Sequence, residues 1–389
     1  MKILAISPRI PEDGKKGDQV LSFHRLSFLA RNHQIKLICF GDNEKDFEAK
    51  LKLESIGISV EFIRWNKMVA AFNLLRATLD VDTPFQCALF QSFAFQKAIH
   101  AALSEFSPDA IYAVTIRALG NICSYSGPLF LDLVDSMALN FSRRVEMASG
   151  LKRIVLKCEY ERVVEYEKKV AQLAERSFVV SSIDQKIIGS NKVDVIPLGI
   201  DGRQFYKNAD GYQNPVVIFT GNMNYKPNVE AVMWFYKNCW NKVKSAVPDI
   251  RLVIAGSDPT AEIIALRADK SLSVTGRVPS LATLINKALV SIAPMQSGSG
   301  MQFKVLEAMA CGVPVVTTSL GLGGIGAKVG KNILLADTAD SFVSAVLSLL
   351  QSIDLRTEIG NAGWQYVNEH HTWDALNTDF EKSILAAVI

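Results

Sequence analysis

The sequence predicts an α/β protein built from two doubly wound parallel sheets in tandem. Three observations predict it. Short β-branched runs alternate with amphipathic stretches, the pattern of parallel strands covered by helices. The pattern occurs twice, and in its second occurrence three successive strands each end at a glycine, at Gly221, Gly256 and Gly276. The chain has 389 residues, 49% of them apolar, which is too many for one ordinary core and points to two domains.

Taken in order, Lys2 to Ser7 reads as a strand, Gln19 to Arg31 as a helix and Ile35 to Phe40 as the next strand. Further strands are expected at Val60 to Ile63, Ala110 to Ala113, Leu129 to Leu133 and Ser177 to Val180. The span from Ser136 to Glu175 is long, charged and helical. A boundary is expected near Ile188 to Asn191, dividing residues 1–190 from 191–368, and Ile196-Pro197-Leu198-Gly199-Ile200-Asp201 opens the second domain. There the strands are Val216 to Thr220, Leu252 to Ala255, Leu272 to Thr275, Val290 to Ala293 and Val313 to Thr317, with helices between them. No short-period repeat or low-complexity tract interrupts the pattern.

Charge and cysteine usage exclude several classes. The formal net charge is +3, and the whole excess lies in residues 1–200, which carry 26 Lys plus Arg against 23 Asp plus Glu. That is no nucleic-acid signature. The six cysteines are scattered with no CxxC pair, so they read as reduced, buried thiols of a cytosolic protein without a zinc site. No apolar run reaches the roughly 18 residues needed to span a bilayer, and the first residues enter a strand directly, without a signal sequence.

The stretch Gly298-Ser299-Gly300-Met301-Gln302-Phe303-Lys304-Val305-Leu306-Glu307 joins a glycine-rich turn, a helix start, one lysine and one glutamate. Glycines let backbone N–H groups approach an anion, the helix start adds its positive dipole end, and Lys304 lies one turn from Glu307. This is a unit suited to a phosphorylated ligand. The plainer reading is a surface ion pair between Lys304 and Glu307. A dinucleotide-dependent oxidoreductase is disfavoured, because the turn after the first strand, Ser7 to Asp18, contains no GxGxxG. No strand elsewhere is followed by one in the required context, and GxxxxGK[ST], HExxH and GxSxG do not occur in the sequence.

Taken together, the series Val195-Ile196-Pro197-Leu198-Gly199-Ile200-Asp201, Phe219-Thr220-Gly221-Asn222-Met223-Asn224-Tyr225, Ile254-Ala255-Gly256, Val274-Thr275-Gly276-Arg277-Val278 and Leu306-Glu307-Ala308-Met309-Ala310-Cys311-Gly312-Val313-Pro314-Val315-Val316 resembles group 1, or family 4, of the GT-B glycosyltransferases. The wording Gly221 to Asn228 and Gly298 to Lys304 further resembles a branch of sugar transferases associated with bacterial exopolysaccharide gene clusters. The first half matches more loosely, through the Pro8 to Asp18 loop and Asp132-Leu133-Val134-Asp135-Ser136.

The resemblance implies two Rossmann-like domains facing a cleft, with a helix at about 369–389 returning to the first domain. It implies retaining, metal-independent transfer of a hexosyl group from a nucleotide diphosphate-sugar, a substrate and no cofactor, to an acceptor hydroxyl. By position, Glu307 matches the family's ribose-binding glutamate, Gly298, Ser299, Gly300, Met301, Gln302 and Phe303 offer amides near donor sugar and diphosphate, and Lys304 is the phosphate cation. Gly14 and Gly17 lie on the amino-domain loop that approaches the donor, and the Gly221 turn with Asn222, and Arg277, complete the donor side. Two departures stand out. The first of the family's paired glutamates falls at Ser299, and the arginine and lysine common after the first glycine turn read Asn222 and Asn228. Lys304 then replaces the lost charge, with Arg277 and Lys226 as second choices; the alternative is an impaired nucleotide-sugar binder, or an enzyme of the same fold such as an epimerase.

Asp135 ends a strand and suits an acceptor-orienting carboxylate or a catalytic base; a helix N-cap before Met137 is the competing role. Arg9 reads as a phosphate contact or a solvated loop residue, and Asn224 and Tyr225 as pocket lining or turn. The resemblance gives the loop from Thr318 to Ile325 backbone contacts to the nucleotide. None of the five histidines forms a nucleophile or metal constellation. Arg143 to Lys157 carries five cations and one acid among apolar residues, which fits peripheral contact with an anionic membrane on its inner face and a lipid-linked acceptor, or a solvated helix face. Trp364, Tyr366, Trp373, Leu376 and Phe380 recur at helical spacings and are expected to form a core stripe.

Overall fold

The computed structural model describes every residue except 14, 16, 81, 123–124, 209–214, 299 and 389. The chain divides into two units: unit 1 is Met1–Ile196 with Leu376–Ile389, and unit 2 is Pro197–Ala375.

Unit 1 holds a seven-stranded sheet of β1 (Lys2–Ser7), β2 (Gln34–Phe40), β3 (Ile58–Ile63), β4 (Ala110–Val114), β5 (Leu129–Val134), β6 (Arg176–Val179) and β7 (Val193–Val195). Its spatial order is β3-β2-β1-β4-β5-β6-β7, every neighbouring pair parallel. Unit 2 holds β8 (Val216–Thr220), β9 (Arg251–Ala255), β10 (Leu272–Val274), β11 (Val290–Ala293), β12 (Val315–Thr317) and β13 (Leu334–Leu335), ordered β10-β9-β8-β11-β12-β13, again parallel throughout. Both orders reverse beside the unit's first strand. The switch points, where open α/β sheets bind ligands, therefore lie between β1 and β4 and between β8 and β11.

Central strands are apolar along their whole length because helices cover both faces. In β1, Leu4 and Ile6 enter one core while Ile3 and Ala5 enter the other, the period of two expected of a strand. Phe380 and Ile384 of the helix Trp373–Val388 complete the second core of unit 1, Phe380 standing edge-on to Tyr112 and Phe178.

Several elements differ from the sequence expectation. The helical span after Ser136 is two helices, Met137–Glu146 and Gly150–Leu173, broken where Gly150 takes φ +58°. The short strands β7 and β13 add to those expected, and β12 begins at Val315 because Gly312, at φ +71°, and Pro314 shape the residues before it into a turn. The first helix is Gly17–Leu29, two residues earlier than its apolar pattern suggested. Trp364 is no core residue: the helix Ile353–His370 packs through Ile359, Gly360, Gly363 and Val367, leaving Trp364 exposed near the Lys207 ammonium. Trp373 does pack, covering the Cα of Gly199. Cys158 is exposed, unlike the buried thiols Cys39, Cys87, Cys239 and Cys311.

Candidate active site

In unit 2 the switch point is assembled from two glycine turns that only glycine fits. Gly221 follows β8 at φ +147° and Gly256 follows β9 at φ +149°; a Cβ on Gly256 would stand 1.7 Å from the Gly221 carbonyl oxygen. Gly221 N–H donates to Ala255 O (3.0 Å) and Met223 N–H to Ser257 O (2.8 Å), locking the turns together. Asn222 is a turn residue here, accepting from Asn224 N–H (2.8 Å) and donating to Asp258 (3.3 Å). Asn228 is buried behind it, donating to Asn222 O (2.9 Å) with its own Oδ1 unpaired.

Across the switch point, the loop after β11 leads into the helix Phe303–Ala310. Gln302 occupies the N-cap without a side-chain bond to the helix, because its Oε1 accepts from the Lys304 ammonium at 2.8 Å. Lys304 is only 8% exposed. Its Nζ also reaches Met295 Sδ (3.8 Å) and stands 5.6 Å from the Phe219 ring centre, and its stem passes beneath Gly221. Burial pushes its pKa down to about 8, against the field of Glu307. The surface ion pair considered from sequence is thus overturned in its placement: Lys304 points into the unit and bonds Gln302, and Glu307 acts on it through its field.

The flanking loops are fitted to one another. Gly298, at φ +106°, rests on Pro227, and Ser297 donates to Glu230, which also pairs with Lys226 (3.3 Å). Gly300 takes φ +71°, and its carbonyl lies against the Cα of Gly323. Thr318 Oγ1 donates to Met295 O (2.9 Å) and accepts from Gly321 N–H (3.1 Å), tying the Thr318 to Ile325 loop to the end of β11. The buried Met301 and partly exposed Phe303 flank Gln302, Phe303 facing Trp373 at 6.4 Å between ring centres. Arg277 is exposed after β10. Ser299 and Gly14 lie outside the described residues.

Unit 1 presents a second charged cluster at its own switch point. Gly17 is the first residue of the helix after β1, next to Asp18, which pairs with Arg9 at 2.8 Å. β5 ends in a γ-turn, with Val134 at φ +68° and Asp135 N–H donating to Leu133 O at 3.0 Å, a strained geometry for a β-branched residue. Ser136, not Asp135, caps the following helix: its Oγ accepts from Leu139 N–H (3.2 Å). Glu167 then accepts from Ser136 Oγ (2.9 Å), Met137 N–H (2.6 Å) and Ala138 N–H (3.3 Å).

β4 ends at another strained residue, Thr115 at φ +58°, two positions before Arg117. Burial lowers the pKa of Arg117, as does Arg9, while Asp18 and Asp135 support its charge. Its Nη2 has a long contact to Gln86 Oε1 (3.4 Å) and its Nε is buried without an acceptor. Sequence reasoning missed Arg117. Its only signal there was a position just past a strand that proves to border the switch point.

His24 stands 3.6 Å from Asp13, and His33 bonds Glu381 at 2.9 Å. Among the described residues no group of three His, Cys, Asp or Glu side chains could hold a metal ion, and no helix is long and apolar enough to cross a membrane.

Residues 214–352 match the family model described as glycosyl transferases group 1. A Klebsiella pneumoniae protein described as an uncharacterized 44.6 kDa protein in cps region is 26% identical over 165 residues, which is 40% of this chain and 42% of that relative's length. Among solved structures, sucrose-phosphate synthase from Thermosynechococcus elongatus superposes with a TM-score of 0.72 at 14% identity, covering 98% of both chains. Anabaena HepE in complex with UDP gives 0.69 at 15% identity, covering 99% of this chain and 100% of that one. TarM gives 0.70 at 9% identity over 99% of each. The chain therefore has the GT-B fold of two Rossmann-like sheets, and the match to the group 1 glycosyl transferase model lies within its second unit.

Proposed function

We propose that the protein is a glycosyltransferase that moves a hexosyl group from a nucleotide diphosphate-sugar to an acceptor hydroxyl, with retention of anomeric configuration and without a metal ion, in the assembly of an extracellular or capsular polysaccharide. The observation that carries this reading is Lys304, a cation held almost without solvent at the switch point of unit 2, beside a helix N-terminus and bonded to the neutral Gln302 amide, where burial outweighs the field of Glu307. Burying an ammonium in such surroundings is unfavourable unless an anion joins it. A diphosphate supplies that anion. The HepE complex with UDP and the cps-region relative support the donor class and the polysaccharide setting.

In this reading the anomeric C–O bond to the diphosphate breaks, the acceptor oxygen bonds the same carbon, and the acceptor proton leaves to a base. Negative charge growing on the diphosphate is met by Lys304 and by the amides of Gly298 to Phe303, with the Gly221 turn, Asn222 and Arg277 bordering the donor. Glu307 accepts from ribose hydroxyls. The resemblance also assigns Gly14 and Gly17 to donor binding, and Asp135 is the carboxylate that would orient the acceptor hydroxyl and take its proton. The acceptor is a glycan or lipid-linked sugar, and the basic segment Arg143 to Lys157 contacts an anionic membrane from its cytoplasmic side.

Thermal-shift titration with uridine, guanosine and adenosine diphosphates tests the donor site, since a ligand bound only by the folded state raises the melting temperature. One nucleotide should do so, and Glu307→Ala should abolish most of the shift. Release of that nucleoside diphosphate from its sugar conjugates then tests transfer, and product stereochemistry tests retention. Nucleotide binding with no release from any sugar conjugate would mark a binder and overturn the enzymatic reading.

A further inference from the structure

The helix Lys67–Ala77 of unit 1 carries its apolar residues on the wrong side for a soluble fold. Its inner face is Ala70, Asn73, Leu74 and Ala77, while Met68, Phe72 and Leu75, spaced four and three residues apart, are 82%, 66% and 68% exposed, and Leu79 in the turn that follows is 89% exposed. The helix does not fray into this arrangement. Asn66 caps its start through Met68 N–H (2.9 Å), Asn73 donates to Gln91 O (2.8 Å), and Arg162 donates to Ala77 O (2.8 Å) at its end. Polar anchors thus hold the helix down and a continuous apolar stripe faces outward, the sort of exposed patch that marks an interaction surface.

Arg162 also leads to a second stripe. It sits on the helix Gly150–Leu173, whose Leu151 and Ile154 are 81% and 64% exposed, two to three turns before Arg162. Both stripes are bordered by cations. Residues 64–79 contain Arg64, Lys67 and Arg76 with no acid, and residues 143–157 contain five Lys or Arg and the single acid Glu146. Asp80 and Asp82 follow the first stripe, and Asp80 is occupied by Thr83 Oγ1 (2.7 Å) and Asp82 N–H (2.9 Å).

We infer that the helix Lys67–Ala77 and the turn after it insert Met68, Phe72, Leu75 and Leu79 into the interface of an anionic phospholipid bilayer, with the first turns of Gly150–Leu173 lying beside them. Apolar stripes flanked by basic side chains match such a surface in both hydrophobicity and charge, each cation near the headgroups adding to binding and each weakening with salt. The inference extends the membrane contact named above to an element of its own and does not depend on glycosyl transfer.

Flotation of the full chain with vesicles of phosphatidylcholine, alone or with about 30% phosphatidylglycerol, tests it. The chain should bind only the anionic vesicles, less so at high salt. Phe72→Ser/Leu75→Ser should weaken binding about tenfold or more, and Met68→Ser/Leu79→Ser serves as the second variant. Thermal unfolding checks that each folds. Wild-type protein that ignores anionic vesicles, or binding unchanged in both variants, overturns the inference; so does a dimer in sedimentation that Phe72→Ser/Leu75→Ser dissociates, which would give the stripe to a second copy of the chain. Nucleoside diphosphate release in vesicle-free buffer with a soluble acceptor should be the same in wild type and variants, so failure here leaves the transfer reading standing and failure there leaves this one.

Discussion

The Lys304 ammonium donates to the side-chain Oε1 of Gln302, two residues earlier, and this bond keeps the N-cap side chain from capping the helix that Lys304 belongs to. A folded-state pKa of about 8 against an ordinary value of 10.5 means that between those pH values the unfolded chain binds more protons. Stability of the nucleotide-free protein should therefore rise with pH across that window, by up to about 3 kcal/mol, and Lys304→Met should lack that part of the slope. Bound diphosphate should pull the pKa back up. Calorimetry near pH 8.5 in buffers of different ionisation heat should detect proton uptake on nucleotide binding, absent in Lys304→Met.

Glu167 gives the opposite sign in unit 1. Three donors favour its ionised form, yet burial outweighs them and raises its pKa to about 7. The folded state then binds the extra proton between the unfolded value of about 4.5 and about 7. Stability from this group is full below the lower value and is lost as pH rises through the upper one, by about 3 kcal/mol at most. Glu167→Gln should remove that loss. Urea denaturation of both proteins from pH 5 to pH 8 checks it.

How far the sequence could be read depended on whether a residue's role is local. The glycine turns at Gly221, Gly256 and Gly276, and strands such as β1, β8 and β11, follow from period and backbone chemistry within a few residues. Chain pattern also located the Gly298 to Glu307 unit. The burial of Lys304 could not be read, because it depends on Phe219 arriving from β8 and on how the loop after β11 folds Met295 back onto it. Ser136 took the cap from Asp135 with Glu167 and Asp184, which accepts from Ser136 N–H (2.9 Å), reaching it from distant helices, and Arg117 gained its surroundings only when β1, β4 and β5 aligned.

The buried pair Arg25–Asp132 is another such long-range feature. Both side chains are fully buried; Asp132 accepts from Arg25 and from Tyr112, and Arg25 also donates to Ile196 O (3.1 Å) and stacks over Phe380 (4.6 Å). It ties the first helix, β5, the end of the unit's chain segment and the returning helix. Asp132→Asn leaves a buried guanidinium without its counter-charge and should cost about 3–5 kcal/mol. Arg25→Met/Asp132→Leu should cost clearly less than either single change, measured by equilibrium denaturation.

Arg117 should behave in the reverse manner, and that contrast separates a binding role from a structural one. Its Nε has no acceptor and its contact to Gln86 is long, so the folded protein gains little from the guanidinium while bearing its desolvation. Arg117→Met should leave stability within about 1 kcal/mol of wild type, or raise it. If the guanidinium, with Asp135, holds the acceptor, the same change should lower kcat/KM for the acceptor by about 10- to 100-fold, the usual loss for a charge-assisted bond. The nucleotide-induced thermal shift should stay as in wild type, because the nucleotide site proposed above lies in unit 2. A variant that instead loses several kcal/mol of stability with unchanged acceptor kinetics would make Arg117 a framework residue and return the acceptor site to Asp135 alone.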